Sequence, residues 1–392
     1  MHRLVPLIAA FALCSLACER KSPPPPAPAT AASGQRAPTS EGPIVLGTLG
    51  SLTGSEASFG TVVRDGIQFA VEQVNAAGGV RGRKVELRSY DTQGKLEESV
   101  AAAKRLLTQD RVVLILGDVT SSGSLAIADA VQAARVPMVT PSATHPDVTK
   151  KGDFIFRTCF IDPFQGGAMA RFAREHLKLE RVAVLHDSKN ASSLGLSEAF
   201  TEAFKKRGGT IVAVESYSKG DSDYRAPLLA VKKAKPQALY LPGFYSEVGV
   251  IARQARELGL SQPLLGGDGW ESDRIFELAG GALEGAYYSS HYAEDNPAPA
   301  LQRFISSFRA RYGRSPEAAS ALGYDAAKVA IAAIERAKSL SGPDLRDALA
   351  STKDFPGATG NLTLDADRNA VKPAVILTIH GGQRHFAAAV TP

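Results

Sequence analysis

Two short loops in this chain carry side chains that could receive a small anion. Residues 112–147 read VVLILGDVTSSGSLAIADAVQAARVPMVTPSATHPD. Thr120, Ser121 and Ser122 sit in the first loop, and Ser142 and Thr144 sit in the second. Hydroxyls beside the free N–H groups of a helix start suit a carboxylate. The same hydroxyls also serve as helix N-caps. Both roles can hold for one loop, and these residues alone leave the choice open. Catalytic patterns are weak elsewhere. His145, His186, His291, His380 and His385 lack metal-ligand spacing. No G-x-S-x-G elbow and no P-loop occurs. Asp187 follows His186, but no nucleophile is organised around that pair.

The loops need elements to hold them. Residues 112–116 form an apolar run short enough for a strand buried on both faces. Ala126, Ala128 and Val131 begin a helical stripe, and Pro137 to Val139 open the next strand. This is a βαβ unit, whose loops lie at the carboxyl ends of the strands, where open α/β sheets bind ligands. Upstream, a strand at 44–49, a helix at 61–76, a strand at 84–90 and a helix at 95–109 extend the series. Such alternation implies a parallel sheet with helices on both faces. A second series runs from a helix at 164–177 to a strand at 286–289, and includes Gly267-Asp268-Gly269-Trp270. Two α/β lobes in tandem place a ligand in the cleft between them. Helices at 300–312, 316–337 and 343–351 follow, then strands at 359–364 and 373–380. A tail ending in strands has to join a sheet already made, so the chain must cross between lobes.

The chain has 392 residues, 44% of them hydrophobic and 22% charged. That suits two globular domains plus extras. Its net charge is +5, of which residues 1–43 carry +2, too scattered a surplus for nucleic acid. Residues 1–18 read as a targeting segment: His2 and Arg3, then an apolar run ending Ser15-Leu16-Ala17-Cys18. This end resembles a bacterial lipoprotein signal in which Cys18 is lipidated, although Ser15 stands where Leu is usual. Residues 19–43 are rich in Pro, Ala and Ser and read as a disordered tether. With Cys14 in the signal and Cys18 lipidated, Cys159 is left alone and packs as a small apolar residue.

Several segments together carry a family likeness: GTLGSLTG with the following Phe59-Gly60, GGVRGRKVELRSYD, LGDVTSSGS, VPMVTPSATHPDVT, FRTCFIDPFQG and QARELGL. In this order the chain resembles the periplasmic solute-binding proteins of branched-chain amino-acid ABC transporters, over residues 44–386 or so. The resemblance implies two doubly wound α/β lobes joined by a three-crossing hinge, with the ligand in the interlobe cleft. One lobe would comprise residues 44–162 and 292–370, and the other 163–291 and 371–392.

The resemblance also implies a site. Ser121 and Thr144, helped by backbone groups around Ser142 and Ala143, match the residues that hold a ligand carboxylate. Asp268 matches the acid that meets the ammonium, where relatives often carry Glu. Phe59 and Phe244 match aromatic pocket walls. Ser192 stands where relatives carry Tyr, and Trp270 is expected to fill some of that space.

Burying either charge of a zwitterion unpaired costs several kcal/mol, so donors on one side and an anion on the other are required. The implied protein is no enzyme and has neither metal nor cofactor. It would be a monomer that binds an amino acid, delivers it to an ABC permease and sits in the cell envelope by a lipid anchor. The alternatives kept are a binder or sensing module of the same fold for amides, urea-like compounds or aromatic acids.

Overall fold

The computed structural model describes residues 42–391. The signal segment, Cys18 and nearly all of the tether lie outside the described residues. Among those described, no helix is long and apolar enough to cross a membrane.

The first lobe is built on β1 (Ile44–Gly50), α1 (Ala57–Ala76), β2 (Val85–Asp91), α2 (Leu96–Thr108), β3 (Leu114–Leu116), α3 (Ser121–Ala134), β4 (Met138–Thr140), the short α4 (Asp147–Lys150) and β5 (Ile155–Arg157). Its five strands pair in parallel in the order β2-β1-β3-β4-β5. β3, β4 and β5 are buried throughout, as expected for strands covered by helices on both faces.

The chain then enters the second lobe through α5 (Asp162–Glu175), β6 (Arg181–Asp187), α6 (Ala191–Lys206), β7 (Thr210–Tyr217), α7 (Arg225–Lys233), β8 (Ala238–Tyr240), α8 (Tyr245–Glu257) and β9 (Leu264–Gly266). A 3-10 turn at Asp268–Trp270, α9 (Arg274–Ala279) and β10 (Tyr287–Ser290) complete this passage. The chain returns through α10 (Pro299–Tyr312), α11 (Ala318–Arg336) and α12 (Gly342–Ala350). β11 (Phe355–Gly357), β12 (Gly360–Leu364) and β13 (Ala370–Val371) make a small antiparallel sheet. A last crossing between Val371 and Ala374 leads to β14 (Ala374–His380) and β15 (Gln383–Val390).

The second sheet therefore has seven strands, in the order β15-β14-β10-β9-β8-β6-β7. It is mixed rather than wholly parallel, because β14 runs antiparallel to both β10 and β15. β15 was not expected from the sequence. Its signal is Gly381-Gly382, which join β14 and β15 at φ values of 57° and 72°, the pair of left-handed residues a tight hairpin needs. Close packing of α11 on α1 fixes the returning helices: a Cβ on Gly66 would lie 1.9 Å from the Ser320 carbonyl oxygen.

Candidate ligand-binding site

The two hydroxyl loops are stitched together before any ligand is considered. Thr140 Oγ1 donates to the Asp118 carbonyl at 2.7 Å, and Ser142 Oγ donates to the Val119 carbonyl at 2.6 Å. The His145 N–H donates to Ser121 Oγ at 3.1 Å. Arg157, fully buried below, donates to the carbonyls of Ala143 and His145 at 2.6 and 2.8 Å. Thr120 caps α3, its Oγ1 accepting from the Gly123 N–H at 3.1 Å. Cap and candidate ligand site thus fall to adjacent residues. Ser121 Oγ accepts one bond and keeps its own proton to donate, next to the helix N–H groups that lack intrahelical partners.

A small cavity of about 10 Å³ opens between the lobes in front of Ser121. Its walls include Phe59, Ser121, Ser142, Ser192, Phe244 and Asp268. That is room for roughly one water molecule, so a cargo enters only as the lobes part. Thr144 lies just behind it, with Oγ1 3.0 Å from Ser192 Oγ across the cleft. One proton serves that hydroxyl pair, which leaves the other free to donate.

Two expected residues, Ala143 and Trp270, stand differently. Ala143 packs its methyl into the first-lobe core, and its N–H is spent on Thr140 Oγ1 at 3.1 Å. Ser142 lines the cavity, but its hydroxyl proton is committed to Val119. Trp270 is fully buried in the core and does not line the cavity. The 3-10 turn carries its indole back over Gly266, whose missing side chain makes the room. There it donates to the Leu241 carbonyl at 3.1 Å and stacks on Tyr288.

Asp268 faces the cavity from the second lobe. Gln165 Nε2 donates to its Oδ1 and His291 Nε2 meets its Oδ2, each at 3.0 Å. Burial pushes the His291 imidazole down to about 4, so near neutral pH it is an uncharged donor. Its ring stacks on Phe160, centroids 3.8 Å apart, which ties the second crossing, after β10, to the first, between β5 and α5. Burial also drives the Asp162 carboxyl, fully enclosed at the first crossing, well above the usual range. Gln165, His291 and Arg157 were not singled out from the sequence. They converge from separate segments and share no spacing pattern.

Other contacts also span the cleft. Phe59 stacks on Phe244 at 6.0 Å, Tyr245 donates to the Ser55 carbonyl at 2.9 Å, and Lys219 pairs with the buried Glu56 at 2.7 Å. The lobes are closed on one another.

The periplasmic binding protein family model matches residues 43–383. The chain belongs to the periplasmic binding protein family. This periplasmic binding protein is 34% identical over 334 residues to Leu/Ile/Val-binding protein homolog 3 of Brucella melitensis, a match covering 84% of this chain and 89% of that one. It superposes on a leucine-binding protein of Thermotoga maritima with a TM-score of 0.85 and 37% identity, covering 89% and 99% of the two chains. The isoleucine complex of a branched-chain amino-acid substrate-binding protein from Streptococcus pneumoniae gives 0.84 and 33%, covering 89% and 100%.

The state of His291 can be checked through stability. The folded protein holds this base neutral down to about 4, whereas an unfolded histidine takes up its proton near 6.5. Stability should therefore fall as pH drops from 6.5 towards 4, by up to about 3 kcal/mol from this group. Glu271 and Glu317, raised to about 7, act in the opposite direction. The decisive quantity is thus the difference between wild type and His291→Gln in urea unfolding. We expect wild type to lose more stability on acidification; parallel profiles would contradict a neutral buried His291.

Proposed function

We propose that this chain captures a free amino acid, branched-chain or a similar zwitterion, in the cell envelope by closing its lobes and delivers it to an ABC permease. One observation carries the reading. A single small cavity is walled by hydroxyl donors on the first lobe, Ser121 with the start of α3, and by the carboxylate of Asp268 on the second. A zwitterion held there has its carboxylate received by one lobe and its ammonium by the other, so the cargo stabilises the closed state over the open one. Thr144 supports the same wall through its contact with Ser192. The relatives named for leucine, isoleucine and valine support the cargo class. Ser192, in place of an aromatic ring, gives this pocket a hydroxyl at its second-lobe wall, which favours small cargo with polar as well as aliphatic side chains. At the other end of the chain, we propose that Cys18 carries lipid and that residues 19–43 tether the lobes to the membrane.

The binding reading is tested with Asp268→Asn. The amide keeps the shape of the acid, and neutral His291 can shift its tautomer to accept from it, so the fold is retained. Binding of leucine, isoleucine or valine by calorimetry should weaken by roughly 30–150-fold, the ~2–3 kcal/mol of a charge-assisted bond. In a thermal-shift panel of amino acids, amides and aromatic acids, the true cargo should add ~2.7 kcal/mol at a hundredfold excess over Kd. Unchanged affinity in the variant, or stabilisation by an aromatic acid or amide alone, would rule out the ammonium assignment. For the anchor, Cys18→Ser should move the protein from the membrane to the soluble fraction; persistence in the membrane fraction would contradict lipidation.

A further inference from the structure

A larger cavity lies away from the cargo site. It has a volume of about 600 Å³ and takes walls from both lobes. Five carboxylates line it, Glu271, Asp273, Glu294, Asp295 and Glu317, against one guanidinium, Arg384. Two of the five already have a cation within ion-pair distance: Asp273 pairs with Arg384, and Glu294 with Arg309. Among the described residues, Glu271 and Glu317 have none. Glu271 is 5% exposed, and its Oε1 has no hydrogen-bond partner. A buried carboxylate oxygen in that state is costly unless a partner arrives. The Glu317 carboxylate accepts the Asp273 N–H at 3.1 Å.

The remaining walls are aromatic. Phe276 and Tyr292 line the cavity, and Phe386, 48% exposed, stands at its edge. Phe276 already takes a cation on its face, Arg384 at 4.8 Å. Aromatic faces beside carboxylates suit an organic ammonium, whose methylenes pack on the rings while its charge meets the acids. No cluster of His, Cys, Asp or Glu with metal-binding geometry occurs among the described residues, so the fit is to an amine rather than to a bare metal ion. The volume and the spread of the acids favour an extended cation with more than one charge.

We propose that this cavity is a second ligand site, which binds an aliphatic polyamine between Glu271 and Glu317. The site belongs to both lobes. Glu271 and Asp273 come from the second, while Glu317 and Tyr292 to Asp295 come from the returning chain. Its occupant therefore bears on the same closure as the cargo. The Glu271 N–H donates to the Asp268 carbonyl at 3.1 Å, so one turn of backbone separates the two sites.

The charge states give the site a pH dependence. Burial pushes both Glu271 and Glu317 up to about 7. Arg384 opposes that shift at both, while Asp268 and Glu317 add to it at Glu271, as does Asp273 at Glu317. The Tyr288 hydroxyl, packed near Arg384, stays protonated, and Arg314 also faces Glu317. The carboxylates are thus neutral below 7 and receive a cation above it.

The test uses the full mature chain and spermidine in calorimetry. We expect saturable binding at pH 8 that weakens about tenfold per titrating group at pH 6, and by at least tenfold in Glu271→Gln and in Glu317→Gln. Glu317 is partly exposed, so that variant decides the matter if Glu271→Gln does not fold. Three outcomes would overturn the site: no saturable spermidine heat at pH 8, equal affinity in the variants that fold, or abolition of binding by magnesium chloride at matched ionic strength against a sodium chloride control.

Discussion

A carboxylate buried at the wall of a cleft is the constraint on which this structure depends. Asp268 is 8% exposed, and leaving such a charge unpaired costs several kcal/mol. Among the described residues, no lysine or arginine is within ion-pair distance of it. It is held instead by two neutral donors, Gln165 and His291, which fix its orientation without cancelling its charge. The negative charge thus remains available on the cavity side. A cation arriving there completes the pair, which is the physical content of the proposed ammonium site.

The same constraint explains the construction of the crossings. His291 can remain an uncharged donor only where water is excluded, and its stacking on Phe160 at the first crossing supplies that exclusion. On the opposite lobe, Arg157 is likewise fully buried, its charge spread over the carbonyls of the Ala143 to His145 loop. Each wall of the cleft is therefore fixed from beneath by a buried polar group next to the hinge. The contacts across the cleft, Thr144 to Ser192 and Lys219 to Glu56, are made at side-chain tips. Contacts of that kind can break and re-form as rigid lobes move.

Much of this was legible in the sequence because strands and helices alternate with clear periodicity, and a βαβ unit puts its loops at one edge. That ground put both hydroxyl loops at one sheet edge, the family resemblance singled out Ser121 and Thr144 among them, and the crossings followed from a tail that had to rejoin a sheet. Trp270 was misplaced because a residue after Gly-Asp-Gly can turn either way. Only the backbone of the 3-10 turn and the space over Gly266 decide that it turns inward. Gln165 and His291 were invisible for another reason: their significance lies in convergence on one carboxylate from distant segments. β15 was missed although Gly381-Gly382 between two strand-like runs is a hairpin signal.

The central claim is that opposite charges of one small molecule are received by opposite lobes. Its most direct test is a crystal structure with isoleucine bound. The account expects the ligand carboxylate within hydrogen-bond distance of Ser121 Oγ and the first turn of α3, with the ammonium on Asp268. Isoleucine bound in the reverse orientation, or outside the cavity that Phe59 and Phe244 enclose, would contradict it.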